Sequence, residues 1–289
     1  CYFFYKRKLL DRKIRILMLS GTYNPIPGGQ SEQATLLAET LVEKGCSVEV
    51  ISQRQSSSLS RKEIINGVSV YRLPQPHRST TKGLFRRNIW GLLLLACRLS
   101  IRMIFGNHRY DLCIIRTVSS DAFVAGFLRA YKLIRYKTVI TAETGGKNDE
   151  ISYLSSIPFS KFIVFYIRKN DFFNCNNSEN VRHYLELGFP QKRITKIYNG
   201  VDTREYSSCR YPEKIQTFLF LAELNREKGI RELLNAFVLV RRDYPEVKLF
   251  LGGYGDEEKY INHYIRTNNL NRAVEFVGYV TTEKKREFY

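Results

Sequence analysis

The sequence has 289 residues, 44% hydrophobic and 26% charged, which excludes a disordered or collagen-like chain and suits about two packed domains. None of the six cysteines stands at Cys-x-x-Cys spacing, so neither a zinc ribbon nor a dense disulfide framework is indicated and a reducing compartment is expected. The net charge of +18 is uneven: residues 1–205 carry 32 basic and 16 acidic side chains and residues 206–289 carry 14 and 12, so the first half is expected to meet an anionic lipid, a nucleic acid or a phosphorylated substrate.

Residues 14–20 form an apolar run that reads as a buried strand, followed by a loop through Pro25, Pro27, Gly28 and Gly29. Ala34, Leu36, Leu37, Leu41 and Val42 then recur at helical spacing with Gly45 just past the end, and residues 47–51 are the next strand. Further strands are expected at 68–73, 112–115, 138–141 and 194–198, with helices at 121–133, 159–168 and 180–187. After the Asn199-Gly200 turn a second series begins: strand 218–221, helix 229–240, strand 247–251, helix 257–268, strand 274–276. Strands alternating with helices of this length predict an α/β chain with parallel sheets. One domain is expected over 1–205 and another over 206–289, with a linker near 199–212. The second series is short for a doubly wound domain and is expected to be incomplete.

Residues 83–105 depart from this rhythm. The stretch is apolar on most sides yet interrupted by Arg86, Arg87, Arg98 and Arg102, and its unbroken apolar run is shorter than the roughly 20 residues that cross a bilayer. It reads as a mostly buried outer-layer helix, or as a basic amphipathic helix on an anionic membrane surface, and one helix can combine the two roles.

The Gly28-Gly29 turn, between a strand and a helix, offers backbone N–H groups and the positive end of a helix to a phosphate or diphosphate; a tight turn needing φ > 0 would call for the same glycines. A nicotinamide-dinucleotide site is opposed by two features. The turn lacks GxGxxG, and the second strand ends Val50-Ile-Ser-Gln-Arg54 with no acid for a ribose. No GxSxG, HExxH or GxxxxGK[ST] pattern occurs and no histidine sits in a motif, so neither a metal nor another cofactor is called for. No RNP aromatic pair or recognition helix supports nucleic acid as a partner.

Four stretches, in order, match a known pattern. KIRILMLSGTYNPIPGGQSEQATLLAETLVEKGCSVEVIS is similar to an opening strand, Gly-Gly loop, helix and "GHxV" strand, with Cys46 at the usual His. CNNSENVRHYLELGFPQKRITKIYNGVDTREY ends like "NGVDxxxF", with Tyr206 for the Phe; LAELNREKGIRELLNAFVLVRRDYPEVKLFLGGYGDEEKY is similar to "GRLxxxKGxxxLLxA…P…LxxxGxGP"; VEFVGYV is similar to "VxFxGxV". The chain thereby resembles the retaining, nucleotide-sugar-dependent glycosyltransferases of the GT-B fold, family 4.

That resemblance implies two Rossmann-like domains with parallel sheets, the first facing the acceptor and the second the donor, a UDP- or GDP-sugar. It implies that Gly28 and Gly29 approach the donor diphosphate and that Lys228 reaches it, steadying the leaving phosphate without a metal ion. Three departures stand out. Glu223 falls where the family has Arg, which leaves Arg226 as a substitute clamp. Glu143 falls where many members have His, making it the expected catalytic position near the reacting sugar. The family's paired-Glu donor motif would lie beyond Tyr289, so activity of this stretch alone is in question. The function implied is sugar transfer to a membrane-associated, lipid-linked or glycan acceptor in cell-envelope, capsule or lipopolysaccharide assembly. The expected location is cytoplasmic, peripheral at the inner face of the membrane through residues 83–105. The alternative is a non-catalytic basic module that binds anionic lipid or nucleic acid.

Overall fold

The computed structural model describes residues 13–74, 89–106, 109–145, 149–203, 214, 216–280 and 284–285. Contacts divide the chain into two compact units, Cys1–Val201 and Asp202–Tyr289.

In the first unit, eight strands make one sheet: β1 (Arg15–Ser20), β2 (Ser47–Arg54), β3 (Lys62–Ile65), β4 (Val68–Pro74), β5 (Leu112–Arg116), β6 (Lys137–Ala142), β7 (Phe172–Cys175) and β8 (Ile194–Lys196). Their order is β3-β4-β2-β1-β5-β6-β7-β8, parallel throughout except for the antiparallel edge pair β3-β4. Among the described residues six α-helices accompany them: α1 (Gly29–Glu43), α2 (Ile89–Phe105), α3 (Ser120–Ala130), α4 (Glu150–Ser156), α5 (Ser160–Ile167) and α6 (Ser178–Glu186). A parallel sheet covered on both faces calls for an unbroken apolar run in its central strands, and residues 16–19 of β1 supply one. Ile16 and Met18 join Val48, Val50, Val68 and Val70 beneath Ala34 and Ala38 of α1. Leu17 and Leu19 point the other way, joining Ile115, Ile140 and Phe173 beneath Leu99 of α2, Leu128 of α3 and Val164 of α5. Each such buried aliphatic side chain stabilises the fold by roughly 1.5–3 kcal/mol.

Helix α2 falls within the Arg-interrupted stretch, whose residues 83–88, with Arg86 and Arg87, lie outside the described residues. Leu99 and Met103 are buried in the core, so the helix covers the sheet. Arg102, one of the four arginines, is a third exposed and has partners within the fold. Its neighbour Met103 is buried, and the Arg102 guanidinium pairs with Glu49 of β2 and lies 4.0 Å over the ring of Tyr71 of β4. Among the described residues, no helix is long and apolar enough to cross a membrane.

In the second unit, β9 (Thr217–Leu221), β10 (Lys248–Gly252) and β11 (Val274–Gly278) form a parallel sheet in the order β11-β10-β9. Helices α7 (Ile230–Asp243) and α8 (Glu258–Thr267) pack on it. Ile230, Leu234 and Phe237 recur on one face of α7, Ile261 and Ile265 on one face of α8, and both rows meet Leu249 and Leu251.

Candidate functional site

In open α/β sheets, ligands bind beyond the carboxyl ends of the strands, and the resemblance-based residues of the first unit lie there. After β1 the chain reaches Gly28, whose φ of 130° and ψ of 152° only glycine adopts without strain. Gly28 is the N-cap of α1 and no side chain caps that helix. A Cβ added at Gly28 or Gly29 would meet nothing within 4 Å, so a ligand can reach this backbone. Glu32 in the first turn of α1 opposes an anion there, which the helix N-terminus favours.

Glu143 directly follows β6. Its carboxylate pairs with Arg116, the last residue of the adjacent strand β5, and the two side chains are 4% and 5% exposed. Burial pushes the Glu143 carboxyl up to about 7; Arg116 opposes the rise and the nearby Glu150 carboxylate adds to it. Glu143 Oε2 and Arg116 Nη2 are buried with no hydrogen-bond partner in the structure. The backbone around the pair is tightly held. Glu150, the first residue of α4, accepts from Val118 N at 2.6 Å, Thr144 N at 3.3 Å and Glu143 N at 3.4 Å, so one carboxylate joins the loops after β5 and β6. Burial raises the Glu150 carboxyl, and these N–H donors oppose the rise. Asn176 Nδ2 donates to Glu143 O at 2.7 Å and Asn180 Nδ2 to Thr144 O at 2.9 Å. Thr117, between Arg116 and Val118, has φ of 92°, strained for a β-branched residue.

His183 lies near this cluster without joining the chemistry. Its Nδ1 is 2.7 Å from Asp149 Oδ2 and 3.0 Å from Ser152 Oγ, so serine and aspartate share one ring nitrogen and no relay through the ring exists. Burial works against the charged Asp149, yet the Ser152 N–H and His183 hold its carboxyl below the usual range. The arrangement ties α4 to α6.

In the second unit, Arg226, Glu227 and Lys228 form a 3-10 turn between β9 and α7. Asn225 caps the turn, its Oδ1 accepting from Lys228 N at 3.1 Å, and Gly229 closes it at φ 76°. Lys228 is exposed, and its ammonium has no partner among the described residues. Glu223 and Arg226 are also exposed. Glu257 at the start of α8 is held by Arg231 through bonds of 2.6 and 2.9 Å, which lowers its carboxyl. The Gly-x-Gly turn after β10 packs on the segment before this 3-10 turn: a Cβ on Gly253 would stand 1.9 Å from Ala222 O, so only glycine fits. The "GxG" element of the sequence pattern therefore holds the segment carrying Glu223 against β10.

Sequence reasoning named Gly28, Gly29, Glu143, Arg226 and Lys228 as candidates and did not name Arg116, Glu150, Asn176 or Asn180, which surround Glu143 and its loop. Arg116 left a signal, a charge closing the apolar run of β5. Asn176 and Asn180 left one in the Asn-rich start of α6. Nothing local marked Glu150.

Two α/β units with largely parallel sheets define the fold class of GT-B glycosyltransferases, and solved structures agree. Sucrose-phosphate synthase from Thermosynechococcus elongatus superposes with a TM-score of 0.66 at 16% identity, over 93% of this chain and 71% of that one. The Anabaena protein HepE, solved with UDP-glucose, superposes with a TM-score of 0.65 at 16% identity, over 93% and 70%. Among curated proteins, glycogen synthase of Mycobacterium tuberculosis is 24% identical over 287 residues, 92% of this chain and 68% of that protein. A phosphatidylinositol N-acetylglucosaminyltransferase subunit of Arabidopsis thaliana is 24% identical over 283 residues, 95% and 60%. The chain belongs to Glycosyltransferase Family 4, whose model matches residues 27–205; a model for group 1 glycosyl transferases matches residues 207–289. It is a glycosyltransferase.

Proposed function

We propose that the chain transfers a sugar from a UDP- or GDP-sugar to a lipid-linked or glycan acceptor, in the assembly of a cell-envelope, capsular or lipopolysaccharide glycan. In this reading residues 1–205 serve the acceptor and residues 206–289 the nucleotide sugar, and the protein works at the cytoplasmic face of a membrane, touching it through the region of residues 83–105. Gly28 and Gly29 offer backbone donors to the donor diphosphate, Lys228 and Arg226 offer charge, and Glu143 stands near the reacting sugar. The observation that carries the reading is Lys228, an ammonium without a partner among the described residues, on a turn that Asn225 and Gly229 hold in place. Such a cation stabilises charge developing on a leaving diphosphate, and it does so without a metal ion. The UDP-glucose bound in HepE supports a nucleoside diphosphate sugar as donor.

The test is transfer and donor hydrolysis over a panel of UDP- and GDP-sugars. Replacing Lys228 with Ala removes one charge-assisted contact, worth about 1.5–3 kcal/mol, and is expected to lower donor use by about ten- to a hundredfold. Unchanged transfer with every productive donor would move the phosphate role to Arg226.

A further inference from the structure

A groove of about 550 Å³ lies between α2 and the β3-β4 edge of the first sheet, and every charged residue lining it is an arginine. Arg72 and Arg102 are spent internally, on Glu63 and Glu49. Arg61, Arg98 and Arg109 are different: all three are exposed and none has a carboxylate partner among the described residues. They come from three separate segments, the turn before β3, the middle of α2 and the turn after it, so the fold rather than a charge run gathers them. Ile101 and Phe105 line the same groove and are 56% and 79% exposed. Unpaired guanidinium groups beside apolar side chains suit a phosphate attached to a greasy body better than a free anion, which gains nothing from an exposed Phe.

The neighbouring helices carry a second, independent observation. Helices α2, α3 and α5 bury their inner sides in one core on one face of the sheet, so their outer sides share a surface. On that surface Phe127, Tyr131, Phe162 and Phe165 are exposed, linked through Phe123 and Tyr166 by ring contacts of 4.8–6.4 Å. Phe159, the N-cap of α5, is 83% exposed and held at φ 60°. A phenylalanine in that strained backbone, with its ring mostly exposed, gains little from apolar burial in the fold. The Lys169 ammonium sits 4.5 Å from the centre of the Phe165 ring, placing a cation at the edge of the patch. A contiguous aromatic patch with a basic rim marks an interaction surface, and its chemistry fits the water–lipid boundary.

We propose that the outer surface of α2, α3 and α5 is a docking face for an anionic bilayer leaflet, with lipid phosphates entering the groove of Arg61, Arg98 and Arg109 and the rings of α3 and α5 entering the headgroup layer. This deepens the membrane reading above and rests on it for location, but not on the assignment of donor or acceptor. It also extends the sequence-based set of lipid contacts, since Arg61 and Arg109 lie outside residues 83–105 while Arg102 is paired with Glu49.

The experiment is co-sedimentation of the chain with vesicles of phosphatidylglycerol and phosphatidylcholine, against phosphatidylcholine alone, at low and high salt. Binding is expected only to the anionic vesicles and is expected to weaken with salt. Each basic side chain at an anionic surface contributes about fivefold, so Arg98→Gln with Arg109→Gln should weaken binding about thirtyfold. Lys44→Gln with Lys192→Gln, outside that face, should change it much less. Phe159→Ser with Phe162→Ser should lose at least about tenfold through the lost apolar burial. Circular dichroism confirms that each variant is folded. Equal loss in the two charge pairs would overturn the proposal, as would equal binding to both vesicle types. Two further results would also overturn it: free pyrophosphate displacing vesicles beyond its ionic strength, which assigns the groove to a soluble phosphate, or a dimer that the phenylalanine variants dissociate. Wild-type chain that transfers sugar but ignores anionic vesicles defeats this proposal and the membrane contact above while leaving sugar transfer standing; chain that binds them but transfers none defeats only the sugar-transfer reading.

Discussion

At Glu143, position and chemistry pull in different directions. The residue stands where many relatives have a histidine, yet its carboxylate is buried against Arg116 and faces the field of Glu150. Its proton is bound more tightly in the folded chain than in the unfolded one, where the carboxyl sits at its ordinary 4.5 rather than at about 7. Such a group stabilises the fold relative to a non-titrating one at low pH and loses that advantage as pH rises through this window. Wild-type stability, measured against Glu143→Gln by urea unfolding from pH 4 to 8, is therefore expected to decline between about 4.5 and 7 and to level off on either side. A gap that does not change with pH would mean that Arg116 offsets the effect of burial and returns the carboxyl to its ordinary value. Sequence reasoning reached Glu143 and Lys228 because short patterns mark them. It missed Arg116 and Glu150 because their roles depend on adjacent strands β5 and β6 ending side by side, which no local spacing records.

Among the elements, the short strand β7 shows what holds an apolar scaffold in register. Asp171, just before it, accepts from Arg129 Nη2 and Lys137 Nζ at 2.9 Å, Thr138 N at 3.0 Å and Thr138 Oγ1 at 3.2 Å. One carboxylate thus ties the end of α3 and the start of β6 to β7. Burial works against its charge, but Lys137, the Thr138 N–H and Arg129 outweigh that and hold the carboxyl below its usual range. Removing it strands the largely buried Arg129 guanidinium, so Asp171→Ala is expected to cost about 3 kcal/mol in urea unfolding at neutral pH. Because the carboxyl is depressed, this contribution is present above about pH 4 and disappears as pH falls through the folded value, so the difference between variant and wild type should shrink there. A loss below about 1 kcal/mol at pH 7 would show that the tie is dispensable. The same strand explains the limit of periodicity as a guide. The central strands were legible because both faces are buried and their apolar runs are unbroken, whereas in β7 only Phe173 and Cys175 are buried. Strand β3 alternates half-buried and exposed residues at the sheet edge, a pattern too weak to stand out from a loop. Helix α4 was hidden because its start depends on the cap Asp149, outside any apolar rhythm.

For the whole molecule, the consequence of the two units lies in how the chain unfolds. Each unit has its own core: Ile115 and its neighbours lie in the first, and Leu234, Phe237, Leu249 and Ile261 form the second. Cooperativity travels through shared buried surface, so chains built this way depart from a single two-state transition. The smaller unit has the smaller core and is expected to unfold first, with the shallower denaturant dependence that goes with less exposed surface. A pair of core substitutions separates the transitions. Leu234→Ala, which empties a fully buried position, should shift the earlier transition by about 2–5 kcal/mol and leave the later one in place. Ile115→Ala should do the reverse, by a similar amount. Urea unfolding followed by circular dichroism and by tyrosine fluorescence reads both, since the two units carry tyrosines in different environments. One transition that both substitutions shift equally would mean that the units unfold as a single cooperative body.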